Sequence, residues 1–194
     1  GFILATGLLS MWLSNTATTM MMYPIALSVI AVISQQKQDK ANYQYFNLTI
    51  MLAIAYAANI GGIATIIGTP PNVAYIGYFQ SKYNVEVDFL RWMLIGTPIA
   101  ILLLITLSYV MVKWLYPSNI DSVSASETMM QQQVKDLGSI STPEKRVLII
   151  FLLTAGLWIF RSLINGAQSV FKLDDTIIAV FSAILLFIIP SGST

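Results

Sequence analysis

The chain has 194 residues, of which 56% are hydrophobic and 10% charged, with a formal net charge of +1. Soluble domains carry about 25% charged residues, so this is the composition of a polytopic membrane protein. The absence of Cys and His excludes disulfides, thiolate or imidazole metal sites and His- or Cys-based triads, and no basic patch interleaved with aromatics speaks for nucleic acid.

Residues 1–33 carry no charge, and near their centre lies LSMWLSNTATTMMMYP (residues 9–24), with the polar run Ser14-Asn15-Thr16-Ala17-Thr18-Thr19. As one helix this segment would be about 50 Å long, well beyond the roughly 30 Å hydrocarbon core, yet it is too short for two spans and a turn. A re-entrant hairpin fits, with one arm to Leu13, a polar tip, and a second arm from Ala17. Such a tip persists at membrane depth where protein buries it or where it lines a cavity. Ser, Asn and Thr are good N-caps, so the second arm opens with N–H groups, the positive dipole end and side chains suited to an anion. The first arm ends in free carbonyls suited to a small cation. A Ser/Thr-rich kink that satisfies its own backbone fits this stretch equally well.

A polar link at 34–40 holds Lys37, Asp39 and Lys40. The next 41 residues, 41–81, contain no charge, which is twice a membrane span. Gly68-Thr69-Pro70-Pro71-Asn72 interrupts them: the prolines remove backbone donors, and Pro70 disfavours helix at Thr69. Gly68 suits a helix C-terminus, Thr69 an N-cap and proline a first turn, which predicts one discontinuous helix over 43–67 and 71–81. Gly61-Gly62 with Ala53, Ala57, Ala58 and Ala64 supplies small residues for close helix packing. Taken alone, GTPPN is more simply a proline kink.

Residues 81–91 read as a loop and 92–116 as a span, anchored by Trp92, Trp114 and Tyr116 and stopped by Pro117. The polar stretch 118–146 offers a surface helix at 127–137, with Met129, Met130, Val134 and Leu137 at helical spacing; an ordinary solvated linker helix is the alternative. Hydrophobic elements follow at 147–164 and 176–189, the second introduced by Asp174-Asp175 and stopped by Pro190. With the hairpin mouth in the cytoplasm, Lys37, Lys40, Lys113, Lys135, Lys145 and Arg146 lie inside, and Lys82, Arg91, Arg161 and Lys172 outside. That excess of basic residues favours this orientation.

Two broken apolar segments, each pairing a helix C-terminus with a helix N-terminus, form the pattern of a secondary-transporter binding site. Neither contains an acid or a base. A cation there must use neutral oxygens: carbonyls near Leu13 and Gly68 and the side chains of Ser14 and Asn15. An anion finds N–H groups, Asn15, Thr16 and Thr69. Each charge is poorly compensated alone in a low-dielectric site, so each favours the other. An intramembrane enzyme would need an acid, His, Cys or paired residues at membrane depth, and residues 1–33 and 41–81 offer none. A channel would need a lined continuous pore, and a purely structural subunit would leave Asn15 without a role.

SNTATTMMMYPIAL followed by AYAANIGGIATIIGTPPN resembles the divalent-anion:sodium symporter family, the sodium-coupled dicarboxylate and sulfate transporters, and the likeness continues through EKRVLIIFLLTAGLWIFR and DDTIIAVFSAILLFIIP. The resemblance implies an all-α elevator-type transporter of the plasma (inner) membrane, usually a homodimer, with two inverted repeats that each contribute one SNT tip. It implies sodium-coupled symport of C4-dicarboxylates, with sodium-independent dicarboxylate exchange, or sodium-coupled sulfate transport, as alternatives. It assigns a Na+ site to Ser14, Asn15 and the Gly68 backbone, with Ser10 as a further ligand, and places Asn15, Thr16, Thr69 and Pro70 at the substrate. Asn59 stands where the family commonly has a smaller residue, often Ser. On the same resemblance the hairpin 1–33 and the broken helix with its following span, 34–117, belong to the transport domain. Residues 118–146 form a cytoplasmic linker, and 147–194 the first two scaffold helices of the second repeat. One SNT and one GTPPN occur, so the chain is expected to be an internal piece of a longer protein.

Overall fold

The computed structural model describes residues 1–36, 40–115, 138–167 and 172–190. Among them every regular element is a helix. In order come α1 (Phe2–Ser10), α2 (Asn15–Gln36), α3 (Lys40–Gly62), α4 (Pro70–Tyr83), α5 (Phe89–Tyr109) with a π-helical stretch Val110–Leu115, α6 (Thr142–Ala167) and α7 (Asp175–Ile188). The surface helix expected at 127–137, and the span end expected at Tyr116, lie outside the described residues. Among the described residues, three helical stretches are long and apolar enough to cross a membrane: Gln44–Gly62, Phe89–Tyr109 and Thr142–Ala167.

The described residues fall into two compact units. One is drawn from Gly1–Val87 and Arg91–Gln133, the other from Asp88–Leu90 and Val134–Thr194. In the first unit α1 and α2 both pack on α3. The buried row Thr18, Met22, Ala26 and Ile30 repeats every four residues on α2, and Ile50 and Ile54 answer it on α3. On the other contact α1, whose Thr6, Gly7 and Ser10 are buried, packs on α3, whose Ala57 and Ala58 are buried. Small residues here let two backbones meet: a Cβ at Gly61 would overlap the carbonyl oxygen of Gly7. Elsewhere large apolar side chains face outward, Leu94 at 67% exposure and Leu102 at 64%, an arrangement suited to hydrocarbon.

Several boundaries differ from those read in the sequence. α1 ends at Ser10 rather than Leu13, and α2 begins at Asn15 rather than Ala17, because Ser14 Oγ accepts from Ala17 N–H at 3.3 Å and so caps the helix earlier. α2 also runs on through Gln36, and its 22 residues amount to about 33 Å of helix. The first half of the broken helix stops at Gly62, not near residue 67. The second half starts at Pro70 and continues to Tyr83, where Asn84 takes the left-handed conformation at φ 53° and closes it. The expected loop at 81–91 shrinks accordingly, since α5 starts at Phe89.

In the second unit α6 and α7 pack together. Their buried contact includes a hydrogen bond between Thr154 Oγ1 and Ser182 Oγ at 2.7 Å. Ser141 and Glu144 form a reciprocal capping box at the start of α6, and Asp174 caps α7 through Thr176 N–H. Arg161 pairs with Asp88 and Asp175, each at 3.3 Å, and Phe89 stacks on Trp158 with ring centroids 5.5 Å apart.

Candidate functional site

The two interruptions are pinned to each other. Beyond Gly62 the chain leaves the helix over residues 63–69, and its carbonyls find donors from distant side chains. Asn72 Nδ2 donates to Gly62 O at 2.9 Å and to Thr65 O at 2.8 Å, while Trp92 Nε1 donates to Ile63 O at 3.0 Å. Trp92, read in the sequence as an interfacial anchor, thus satisfies a carbonyl that the broken helix leaves free. Trp92→Phe keeps an aromatic ring there but removes the donor, at a cost of about 1–3 kcal/mol for the unsatisfied carbonyl. The thermal midpoint of the purified full-length protein should fall by several degrees; an unchanged midpoint would mean that this bond contributes nothing.

Three hydrogen bonds fasten the hairpin tip to the broken helix. Thr65 Oγ1 donates to Met11 O and accepts from Gly68 N–H. Ser10 Oγ lies 2.7 Å from Ala58 O. Asn15 Nδ2 donates to Asn59 Oδ1 at 2.9 Å.

Oxygens converge where these meet. Ser10 Oγ is also 2.9 Å from Asn15 Oδ1. A hydroxyl has one proton, and both of its neighbours are acceptors, so one of the two oxygen–oxygen contacts always lacks a proton. Asn15 Oδ1 and Gly68 O both crowd Gly62: a Cβ at 62 would overlap the first and stand 3.2 Å from the second. Glycine at 62 therefore lets an amide oxygen and a backbone carbonyl approach the α3 backbone closely, with the Ser10 hydroxyl beside the amide oxygen. Among the described residues there is no cluster of three His, Cys, Asp or Glu, so the cluster is made of neutral oxygens only. Such a set suits a hard cation that accepts carbonyl and hydroxyl ligands.

Of the residues singled out in the sequence, Ser10, Asn15 and the Gly68 backbone are brought together, with Ser10 fully buried. Ser14 is exposed and its hydroxyl caps α2. Thr16 is exposed in the first turn of α2. Thr69 is the extended residue before α4, and its side chain makes no capping bond; Pro70 follows it, exposed. Thr65, Asn72 and Asn59 had no assigned role, although Asn59 and Asn72 are polar residues in otherwise apolar helices, which is the signal that finds them.

A helical hairpin tip locked onto a helix break, with neutral oxygens drawn from both, defines an integral membrane protein built around paired helix interruptions. Residues 1–190 match the family described as the sodium:sulfate symporter transmembrane region, and the chain belongs to that family; it is an integral, multi-pass protein of the plasma membrane. It is 37% identical over 196 residues to the sodium-dependent dicarboxylate transporter SdcS of Staphylococcus saprophyticus, covering 98% of this chain and 38% of the relative. It is 36% identical over 204 residues to the protein of the same name from Staphylococcus aureus strain USA300, covering 100% of this chain and again 38% of the relative. The chain thus spans well under half the length of these relatives.

Proposed function

We propose that this chain is part of a secondary active transporter that couples sodium to the movement of C4-dicarboxylates, and that it supplies one sodium site and part of the substrate site. The convergence of Ser10 Oγ, Asn15 Oδ1 and Gly68 O beside Gly62 carries this reading. Sodium would sit against these oxygens, with Ser14 as a further ligand: its hydroxyl and its carbonyl each accept one N–H from α2 and each keep a second lone pair. The substrate carboxylate would meet the first turn of α2, where N–H groups, the helix dipole and Thr16 face outward. The start of α4 is a poorer anion site, because Pro70 and Pro71 have no N–H; there Thr69 offers a hydroxyl and Pro70 only its ring. The relatives' names favour dicarboxylate over sulfate. Elevator movement, a homodimer and a second inverted repeat are part of the same proposal, with residues 1–117 in the moving part, 118–146 as linker and 147–194 in the scaffold.

Burying a dianion against N–H and hydroxyl groups alone is costly, and an adjacent sodium ion offsets part of that cost. Linkage then requires sodium to raise substrate affinity by the same factor by which substrate raises sodium affinity. Couplings of about 1–3 kcal/mol, or roughly 5- to 150-fold, are the expected scale. The test is equilibrium titration of succinate binding to the full-length protein at several sodium concentrations, with a large inert cation holding ionic strength constant. Affinity independent of sodium would replace symport by sodium-independent exchange.

A further inference from the structure

We infer that Asn59 is a positioning residue that decides which end of the Asn15 amide faces the cation. The inference rests on the sodium-site reading above and extends it to a residue outside the ligand set. An amide has two ends of nearly equal size and opposite polarity. If Asn15 were reversed, its NH2 group would point at Ser10 and the Gly62 cradle, and a donor would stand where a cation needs an acceptor.

The choice is made outside the cluster, by a group that cannot change role. Ala55 O is a helix carbonyl and can only accept. Asn59 Nδ2 donates to it at 3.0 Å, which turns Asn59 Oδ1 toward the hairpin tip. That oxygen accepts from Asn15 Nδ2 at 2.9 Å, which turns Asn15 Oδ1 toward Ser10 Oγ at 2.9 Å and toward Gly62. Polarity therefore passes from one backbone carbonyl of α3 through two amides to the oxygen that borders the cradle. Asn59 reaches this position because it lies on α3 within one turn of Gly62, on the side that meets the tip. A serine there is too short to bridge to both Ala55 O and Asn15, so the polarity chain is open in that variant.

The test uses the full-length protein with Asn59→Leu, Asn59→Ser and Asn59→Asp, and Asn15→Ala in parallel. Sodium binding is read from sodium-dependent thermal stabilisation, with choline replacing sodium at constant ionic strength, and succinate KM is read at saturating sodium. Leu removes the acceptor that holds Asn15 and Ser draws it back toward α3, and the half-saturating sodium concentration should rise about tenfold, the scale of one hydrogen bond to a charged site. Asp loses the bond to Ala55 O but still accepts from Asn15. It should bind sodium within about threefold of the parent, while its negative charge raises succinate KM. Asn59 is exposed, and Asn59→Ser adds no bulk, so it keeps the test available where Leu fails to fold. Parent-like sodium binding in Ser and Leu overturns the inference, as does an equal loss in all three variants, which would mark a packing effect. If Asn15→Ala also binds sodium normally, the sodium-site reading itself falls; if Asn15→Ala loses sodium while the Asn59 variants do not, only the positioning role falls.

Discussion

Asn15→Ala is expected to abolish sodium-driven succinate uptake by the full-length protein while leaving it folded in the membrane. The residue makes three contacts: its Oδ1 stands 2.9 Å from Ser10 Oγ, its Nδ2 donates to Asn59, and its backbone carbonyl accepts from Thr19 Oγ1 at 2.7 Å. Alanine preserves the last of these and removes the first two. Folding should survive, because the fastening of the tip to the broken helix also runs through Ser10 to Ala58 O and through Thr65 to Met11 O. Asn15 is only partly buried, so its truncation leaves no large cavity. Loss of an oxygen ligand to a buried cation is a different matter. At about 1.5–3 kcal/mol for a hydrogen-bond-strength contact to a charged group, sodium affinity should fall roughly 10- to 150-fold, and coupling transmits that loss to the substrate. The check is sodium-dependent uptake in proteoliposomes alongside a melting curve. Normal uptake with unchanged sodium dependence would remove Asn15 from the site.

The existence of the two interruptions was legible in the sequence, but the position of the second was not. Proline at 70 excludes helix at Thr69 by local sterics, and nothing local forbids helix from 63 to 68. That stretch leaves the helix because Asn72 and Trp92 offer side-chain donors to the carbonyls of Gly62, Ile63 and Thr65, from up to 29 residues away. The helix exchanges its own ladder for tertiary bonds that propensity cannot register. Gly61 and Gly62 were read as a packing pair, and one of them is: Gly61 lets α3 touch the backbone of α1. Gly62 faces the oxygen cluster, a role that glycine content alone does not distinguish from packing. The polar residues of the tip pointed to neutral-oxygen chemistry, yet Ser14, the first letter of the SNT motif, uses its hydroxyl to cap α2, while the buried Ser10 reaches Asn15. Side-chain direction at a helix end depends on where the helix starts, and a shift of two residues at α2 makes the Ser14 hydroxyl a helix cap as well.

These neighbouring glycines should fail differently when each is given one methyl group. In Gly61→Ala the new Cβ would overlap the Gly7 carbonyl oxygen, and Gly7 Cα lies 2.8 Å away. Backbone cannot rotate aside as a side chain does, so α1 and α3 must separate. Overpacking of this kind costs about 1–3 kcal/mol or more, and the Ser10 bond to Ala58 O and the Thr65 bond to Met11 O are strained with it. The expected result is poor expression and a lowered melting temperature. In Gly62→Ala the overlapping atom is Asn15 Oδ1, the end of a side chain that can turn away, with Gly68 O at 3.2 Å. The protein should assemble, because one rotation relieves most of the clash. That rotation takes the amide oxygen away from Ser10 Oγ and Gly68 O and, on the proposed sodium site, removes a cation ligand. Gly62→Ala should therefore express and melt close to the parent while sodium stabilisation and sodium-driven uptake are lost. The discriminating comparison is expression and melting against sodium response in the two variants. A Gly62→Ala protein that responds normally to sodium would show that the oxygens beside Gly62 hold no cation.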